Sequence, residues 1–149
     1  MSSSIRIMTL QDLDAVYDIE LATNSFPWAK STIEQSIAST KLSVLLEYDD
    51  VAVGYAVVSY VVGEAELLNI CIHPEMQGKG LGGYLLEYII EQATDSGNHD
   101  LYLEVRAGNK AAIHLYEKMG FNEVGCRANY YPAENGREDA ILMALPLSL

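Results

Sequence analysis

Between His73 and Leu86 the chain reads HPEMQGKGLGGYLL, with Gly78, Gly80, Gly82 and Gly83 filling four of six consecutive positions. Glycines set this densely ahead of an apolar periodic run let several backbone N–H groups converge on one point, where a helix dipole adds positive potential. That is the chemistry of a phosphate grip. Lys79 adds a full positive charge. Two registers compete for the same residues. Gly78, Gly80 and Gly83 spell G-x-G-x-x-G, a dinucleotide fingerprint, and Glu104 falls about 20 residues on, where that reading wants a ribose-binding acid. Gln77, Gly80 and Gly82 spell Q-x-x-G-x-G instead. The phosphate-loop lysine motif fails, because Gly80 follows Lys79 where Ser or Thr is required.

Groups able to move a proton lie downstream. Glu104 alternates with Leu101, Leu103 and Val105, so it shares the opposite strand face with Tyr102 and Arg106. A carboxylate there is either solvent-facing at a strand end or functional. Tyr116 lies one turn after Ala112 on a helical stripe, where spacing alone reads as a core aromatic. His73 and His114 are alternative bases. Cys71 is an alternative nucleophile, but its apolar surroundings raise a thiol pKa and so disfavour the thiolate. Phe26 and Trp28 in an early loop, with Tyr130 and Tyr131 near a late turn, form either an aromatic slot for a peptide or a hydrophobic staple between loops. Arg137, Glu138 and Asp139 read as an ion-pair cluster closing a hairpin.

Positioning these groups requires a definite order of elements. Residues 5–8 alternate as a strand, and Thr9 with Asp12 marks a helix start before Leu10, Leu13, Val16, Tyr17 and Leu21 at helical spacing. After a break at Asn24–Trp28, Ser31 and Glu34 form a capping-box pattern for a second helix. Residues 42–48 and 51–62 flank Asp49-Asp50 as a hairpin, and 64–72 supply another strand after Gly63. Leu81, Leu85, Ile89 and Ala93 stripe a helix that Gly97 ends. Residues 101–106 form a strand, and Asn109 caps a helix that Gly120 stops. Strands at 121–130 and 138–145 face each other across a segment holding the turn pair Asn135-Gly136. The order β-α-α-β-β-β-α-β-α-β-β predicts an α+β fold with a mixed sheet, in one domain over residues 1–149. Such an order does not suit the dinucleotide register, which needs successive β-α units around a tight strand-to-glycine turn.

A formal net charge of −12 argues against nucleic acid or an anionic membrane surface as partner and favours a basic one. Cys71 and Cys126, within or beside apolar runs, read as buried free thiols, and three isolated histidines give no metal-ligand spacing. The first residues lack a charged start with an apolar core, and no apolar run approaches the ~20 residues of a spanning helix, so a cytoplasmic setting is expected.

Gln77 to Gly82, after Asn69-Ile70-Cys71-Ile72-His73-Pro74, resembles the acetyl-CoA motif of the GNAT superfamily of N-acetyltransferases, and residues 103–121 resemble its following strand and helix. Phe26-Pro27-Trp28, Leu103 to Arg106, Asn129 to Pro132 and Arg137 to Ala140 together resemble the branch that acetylates the N-terminal alanine of a small-subunit ribosomal protein. The resemblance implies the GNAT fold, a mixed, mostly antiparallel seven-stranded sheet flanked by about four helices. It implies that the backbone of Ile70, Cys71 and Ile72 pairs with the pantetheine arm of acetyl-CoA, and that Gln77, Gly78, Lys79, Gly80, Leu81, Gly82 and Gly83 hold the pyrophosphate. Asn109 would contact the cofactor as well as cap its helix. Many relatives carry a basic residue where this chain has Gly83, so phosphate binding here leans on amides and Lys79. Glu104 would be general base and Tyr116 the acid assisting the leaving thiolate. The α-amine, titrating at about 7.7–8.0 against about 10.4 for lysine, is the easier nucleophile, and Glu104 would work through a raised pKa or a water relay. The same fold acting on a lysine or small amine, or a non-catalytic CoA-binding adaptor, are the alternatives.

Overall fold

The computed structural model describes residues 2–39 and 42–147. Its strands are β1 (Ser3–Ile7), β2 (Leu42–Tyr48), β3 (Val51–Val61), β4 (Glu64–Ile72), β5 (Asp100–Arg106), β6 (Asn122–Ala133) and β7 (Gly136–Pro146). Its helices are α1 (Leu13–Thr23), α2 (Lys30–Ser39), α3 (Leu81–Asp95) and α4 (Lys110–Lys118), with 3₁₀ turns at Leu10–Asp12 and Pro74–Met76. The seven strands make one sheet in the order β1-β2-β3-β4-β5-β7-β6. Antiparallel ladders join β1 to β2, β2 to β3, β5 to β7 and β7 to β6, while β4 and β5 run parallel. The α+β, mixed and mostly antiparallel architecture expected of the chain is therefore present.

By its internal packing the chain forms two compact units: Met1–Tyr60 with Leu68–Ile89, and Val61–Leu67 with Ile90–Leu149. In the first, Met8, Val16, Ile19, Ile33, Leu45, Tyr55, Val57 and Cys71 form a buried cluster. Asp49 and Asp50 turn the β2–β3 hairpin with φ of 51° and 67°, the doubly left-handed turn whose twist matches that of the strands. Gly54 is required for close approach: a Cβ there would lie 2.8 Å from the Cys71 carbonyl oxygen and 2.7 Å from Ile72 Cδ1. The stripe Leu81, Leu85 and Ile89 is buried as its spacing predicts.

In the second unit β5 alternates half-buried and buried residues, with Leu101, Leu103 and Val105 inside. The parallel ladder pairs Glu64–Leu67 with Asp100–Leu103. Asn109 caps α4 through its side-chain oxygen, which accepts from the Ala112 N–H at 3.2 Å.

Four local expectations need correction. The buried face of α1 is Val16, Ile19 and Glu20, while Leu10 and Leu21 are exposed, so the core lies to one side of the apolar stripe. Helix α2 starts at Lys30, with the Ala29 carbonyl accepting from the N–H groups of Thr32 and Ile33, which puts Ser31 inside the first turn rather than at the cap. Cys126 is exposed, because β6 is the last strand of the sheet and nearly all its residues face outward. The last hairpin is longer than expected: Pro132 pairs with Arg137 and Ala133 with Gly136, leaving Glu134 and Asn135 as the turn. An edge strand tolerates Pro132 because its missing N–H removes no interior ladder bond.

Candidate active site

The glycine loop belongs to the first unit. Past the end of β4, the His73 N–H donates to the Val53 carbonyl at 2.7 Å, and His73 Nδ1 accepts from the Glu75 N–H at 3.1 Å. His73 is thus spent on capping a 3₁₀ turn. Gln77 Nε2 donates back to the Ile72 carbonyl at 2.9 Å and pins the loop to the strand. Gly78 and Gly80 both have φ of +78°, and a Cβ on either would meet nothing within 4 Å. Conformation rather than space therefore demands glycine at both, and it is the left-handed backbone that a Cβ would strain. The Gly80 carbonyl accepts from the Tyr84 N–H at 3.1 Å as α3 begins, so the amides of Leu81, Gly82 and Gly83 lie in the first turn, where a helix has no i−4 acceptors for them. Exposed Lys79 and these amides suit a pyrophosphate. Antiparallel ladders on β1–β3 and on β5–β7–β6 flank the parallel β4–β5 pair, which is not the run of parallel strands a dinucleotide fold needs.

Along β4, Ile70 and Ile72 are half-buried and Cys71 is buried. Burial pushes the Cys71 thiol well up, and the adjacent Glu20 carboxylate pushes it further, so a thiolate is disfavoured there. In the early loop Phe26 is exposed, and Trp28 is half-buried against the first unit's core.

The second unit holds the proton-transfer candidates. Glu104, on the less buried face of β5, keeps 19% of its side-chain surface exposed and pairs with Arg127 of β6 at 3.5 Å. Glu66 of β4 stands near it: burial, and then repulsion from Glu104, push the Glu66 carboxyl up, while Arg127 opposes the rise. Arg127 thus pairs with Glu104, and its charge also bears on Glu66. On the same β5 face, Arg106 lies over the Tyr131 ring at 4.5 Å, donates to the Pro132 carbonyl at 2.7 Å and pairs with Glu138 at 3.2 Å. Tyr130 and Tyr131 meet edge to face at 5.0 Å, and Arg127 lies 5.4 Å from the Tyr130 ring. Burial, followed by the Glu104 charge, raises the Tyr131 phenol above its ordinary value. Tyr116 is 6% exposed and packs against Phe121 at 5.7 Å, whereas His114 on the same helix is exposed.

The Arg137–Asp139 segment closes its hairpin differently from the ion-pair cluster expected. Arg137 donates to the Asn129 and Tyr130 carbonyls, Asp139 accepts from the Asn129 N–H at 2.9 Å, and Glu138 binds Arg106 and the Gly108 N–H. Asn129, with φ of 53°, sits at the irregular register between Arg127 and Tyr131. Each acid or base in this segment is spent on backbone or on Arg106. Glu66 and Arg127 went unnoticed in the sequence, although Glu64 and Glu66 alternating with Ala65 and Leu67 was a signal that acids line one face of that strand.

A family model described as the acetyltransferase (GNAT) family matches residues 13–121. The chain belongs to the acetyltransferase (GNAT) family. Members of this family use acetyl-CoA, and the glycine loop carries the features that suit its pyrophosphate. Among curated proteins, the [ribosomal protein bS18]-alanine N-acetyltransferase of Salmonella typhimurium is 44% identical over 147 residues, 99% of each chain. The crystal structure of the ribosomal-protein-S18-alanine N-acetyltransferase from Escherichia coli is 42% identical, with a TM-score of 0.94 over 99% of this chain and 96% of that one. A Salmonella typhimurium protein solved with its cofactor acetyl-CoA, at 22% identity and a TM-score of 0.83, shares the GNAT fold over 98% of this chain and 94% of its own. Among the described residues no group of three His, Cys, Asp or Glu side chains gathers as a metal site, and no helix is long and apolar enough to cross a membrane.

Proposed function

We propose that this GNAT acetyltransferase is of RimI type, acting as one domain over residues 1–149 in the cytoplasm. It transfers the acetyl group of acetyl-CoA to the α-amine of an N-terminal alanine, with the counterpart of ribosomal protein bS18 as acceptor. What carries this reading is the 44% identity, along 99% of both chains, to an enzyme named for that acceptor.

The cofactor supplies a thioester carbonyl; the chain's residues bind it, orient the amine and move protons. First-turn amides at Leu81, Gly82 and Gly83, with Gln77, Gly78, Lys79 and Gly80, hold the pyrophosphate, and the backbone of Ile70, Cys71 and Ile72 with Asn109 aligns the pantetheine arm. Glu104 takes a proton from the attacking amine directly or through water. Its partly exposed position beside Arg127 supports a reachable base rather than a core residue. Buried Tyr116 donates towards the departing sulfur. A phenol near 10 facing a thiol near 8.5 is a slightly uphill acid, so hydrogen-bonding to the developing thiolate is its larger contribution. Phe26, Trp28, Tyr130 and Tyr131 receive the first residues of a basic acceptor.

The test follows CoA release with two basic peptides, one beginning with free alanine and the other N-terminally blocked with one internal lysine. Release is expected from the first alone, and equal rates on both would refute N-terminal specificity. Glu104→Gln is expected to lower kcat by about 10²-fold or more with acetyl-CoA binding unchanged, in the range of general-base effects. A kcat within threefold of the parent enzyme would remove Glu104 from the mechanism.

A further inference from the structure

Among the described residues, the least exposed charged group in the first unit lies outside the proposed machinery. Glu20, near the end of α1, is 0% exposed. Its Oε1 accepts from Tyr55 Oη at 2.7 Å, from Asn69 Nδ2 at 3.1 Å and from the Cys71 thiol at 3.4 Å, while Oε2 accepts from the backbone N–H of Trp28 at 2.8 Å. Asn69 Nδ2 also donates to Tyr55 Oη at 2.6 Å, and Asn24 Nδ2 to Cys71 Sγ at 3.6 Å. Five polar groups from the loop after α1 (Asn24, Trp28), β3 (Tyr55) and β4 (Asn69, Cys71) thus close around one carboxylate of α1.

A buried charge is expensive unless its lone pairs are filled, and here they are filled by donors only. Burial drives the Glu20 carboxyl up, yet the donors, led by the Trp28 N–H and Tyr55, outweigh it and hold the group below the usual carboxylate range. The site needs acceptors alone. A glutamine would turn an amide N–H₂ towards either the Trp28 N–H or the Tyr55–Asn69 pair.

The two oxygens have different duties. Oε1 grips side chains of β3 and β4, including Asn69 and Cys71, which flank Ile70 on the strand assigned to acetyl-CoA. Oε2 grips the backbone of the Asn24–Trp28 loop, the segment whose Phe26 is exposed and whose Trp28 rests on the core. We infer that Glu20 is a positioning residue for acceptor recognition: it anchors the Asn24–Trp28 loop to the floor of β3 and β4, so that Phe26 and Trp28 present a preformed surface to the first residues of the acceptor. This rests on the reading of that loop as part of the acceptor slot. Without the anchor the loop must be ordered at the moment of binding, which weakens acceptor affinity and leaves the chemistry of a bound acceptor intact.

Glu20→Gln, Tyr55→Phe and Trp28→Ala would be compared with the parent enzyme for kcat, peptide KM and acetyl-CoA KM, using the alanine-initiated basic peptide. Trp28 is the only tryptophan in the sequence, so indole emission and its quenching by acrylamide report on the loop directly. Glu20→Gln is expected to raise peptide KM about tenfold, with kcat and acetyl-CoA KM within twofold and quenching increased. Tyr55→Phe, which removes one donor and keeps the carboxylate, is expected to raise peptide KM about threefold, and it decides the matter if the glutamine variant does not fold. Peptide KM within twofold in these variants, while Trp28→Ala raises it, overturns the role of Glu20 and spares the slot. Equal losses in peptide KM, acetyl-CoA KM and kcat make Glu20 a brace of the whole fold and overturn the inference. If Trp28→Ala itself leaves peptide KM unchanged, the slot reading fails and this inference with it, while N-terminal acetylation stands on the two-peptide assay.

Discussion

Burial, and then the Glu20 charge, hold the Cys71 proton far above the thiol's ordinary value of 9.0, and that shift has a direction in stability. In the unfolded chain the thiol ionises as pH passes 9.0, whereas in the folded protein it stays protonated. The stabilisation is therefore fully present below that pH and is lost as pH rises, at a slope approaching about 1.4 kcal/mol per pH unit for one group. The thermal midpoint of the parent protein is expected to fall more steeply between about pH 9 and 10.5 than that of Cys71→Ala; parallel slopes would contradict the coupling. Apolar neighbours in the sequence placed Cys71 and Cys126 together as buried thiols, and the fold separated them. One lies on a central strand beneath α1, the other on the outward side of an edge strand, and no local pattern around Cys126 encodes which strand becomes the edge.

Among the elements, Gly78 and Gly80 of the glycine loop and the aspartates of the β2–β3 turn answer the same backbone demand with opposite residues. Gly80 has φ of +78° in open space, so Gly80→Ala strains the backbone at about 1 kcal/mol and re-aims the amides ahead of α3. Acetyl-CoA KM is expected to rise about tenfold with peptide KM unchanged, measured by CoA release; an unchanged acetyl-CoA KM would argue that the loop's shape does not bind the pyrophosphate. Asp50 shows the converse, with φ of 67° in a residue that bears a Cβ, while its neighbour Asp49 is engaged by the Ser2 N–H. Asp50→Gly is expected to stabilise the protein by ~0.5 kcal/mol, the relief of strain exceeding the entropy glycine adds to the unfolded chain, and a lower thermal midpoint would refute it. Elements with a strong local period were legible. The stripe Leu81, Leu85 and Ile89, the alternation in β5 and the Asn109 cap depend on neighbours within one or two turns. The start of α2 was not legible in the same way, since a capping box is only an offset of two residue types and the Ala29 carbonyl serves two residues earlier.

For the molecule as a whole, the net charge of −12 would strengthen the attraction of the basic acceptor proposed above. That attraction is screened within about 10 Å at 0.1 M salt and about 3 Å at 1 M. kcat/KM for a basic alanine-initiated peptide is expected to fall several-fold as salt rises through that range, and to change little for an uncharged peptide of the same first residue. Equal salt dependence would place recognition in short-range contacts alone. Fold class, the glycine loop and the places of Glu104 and Tyr116 on a strand face and a helical stripe were legible in the sequence, because each depends on short spacing: glycines ahead of a helix, alternation in a strand, one turn from Ala112 to Tyr116. The roles of acid and base came from the family resemblance and not from that spacing. The surroundings of those groups were decided by tertiary structure. Glu20 meets Asn69 and Cys71 from 49 and 51 residues away, and Arg127 reaches Glu104 from the far side of β7. A carboxylate's role follows from which donors close around it, and that depends on strand order and register, which residue types along the chain do not specify.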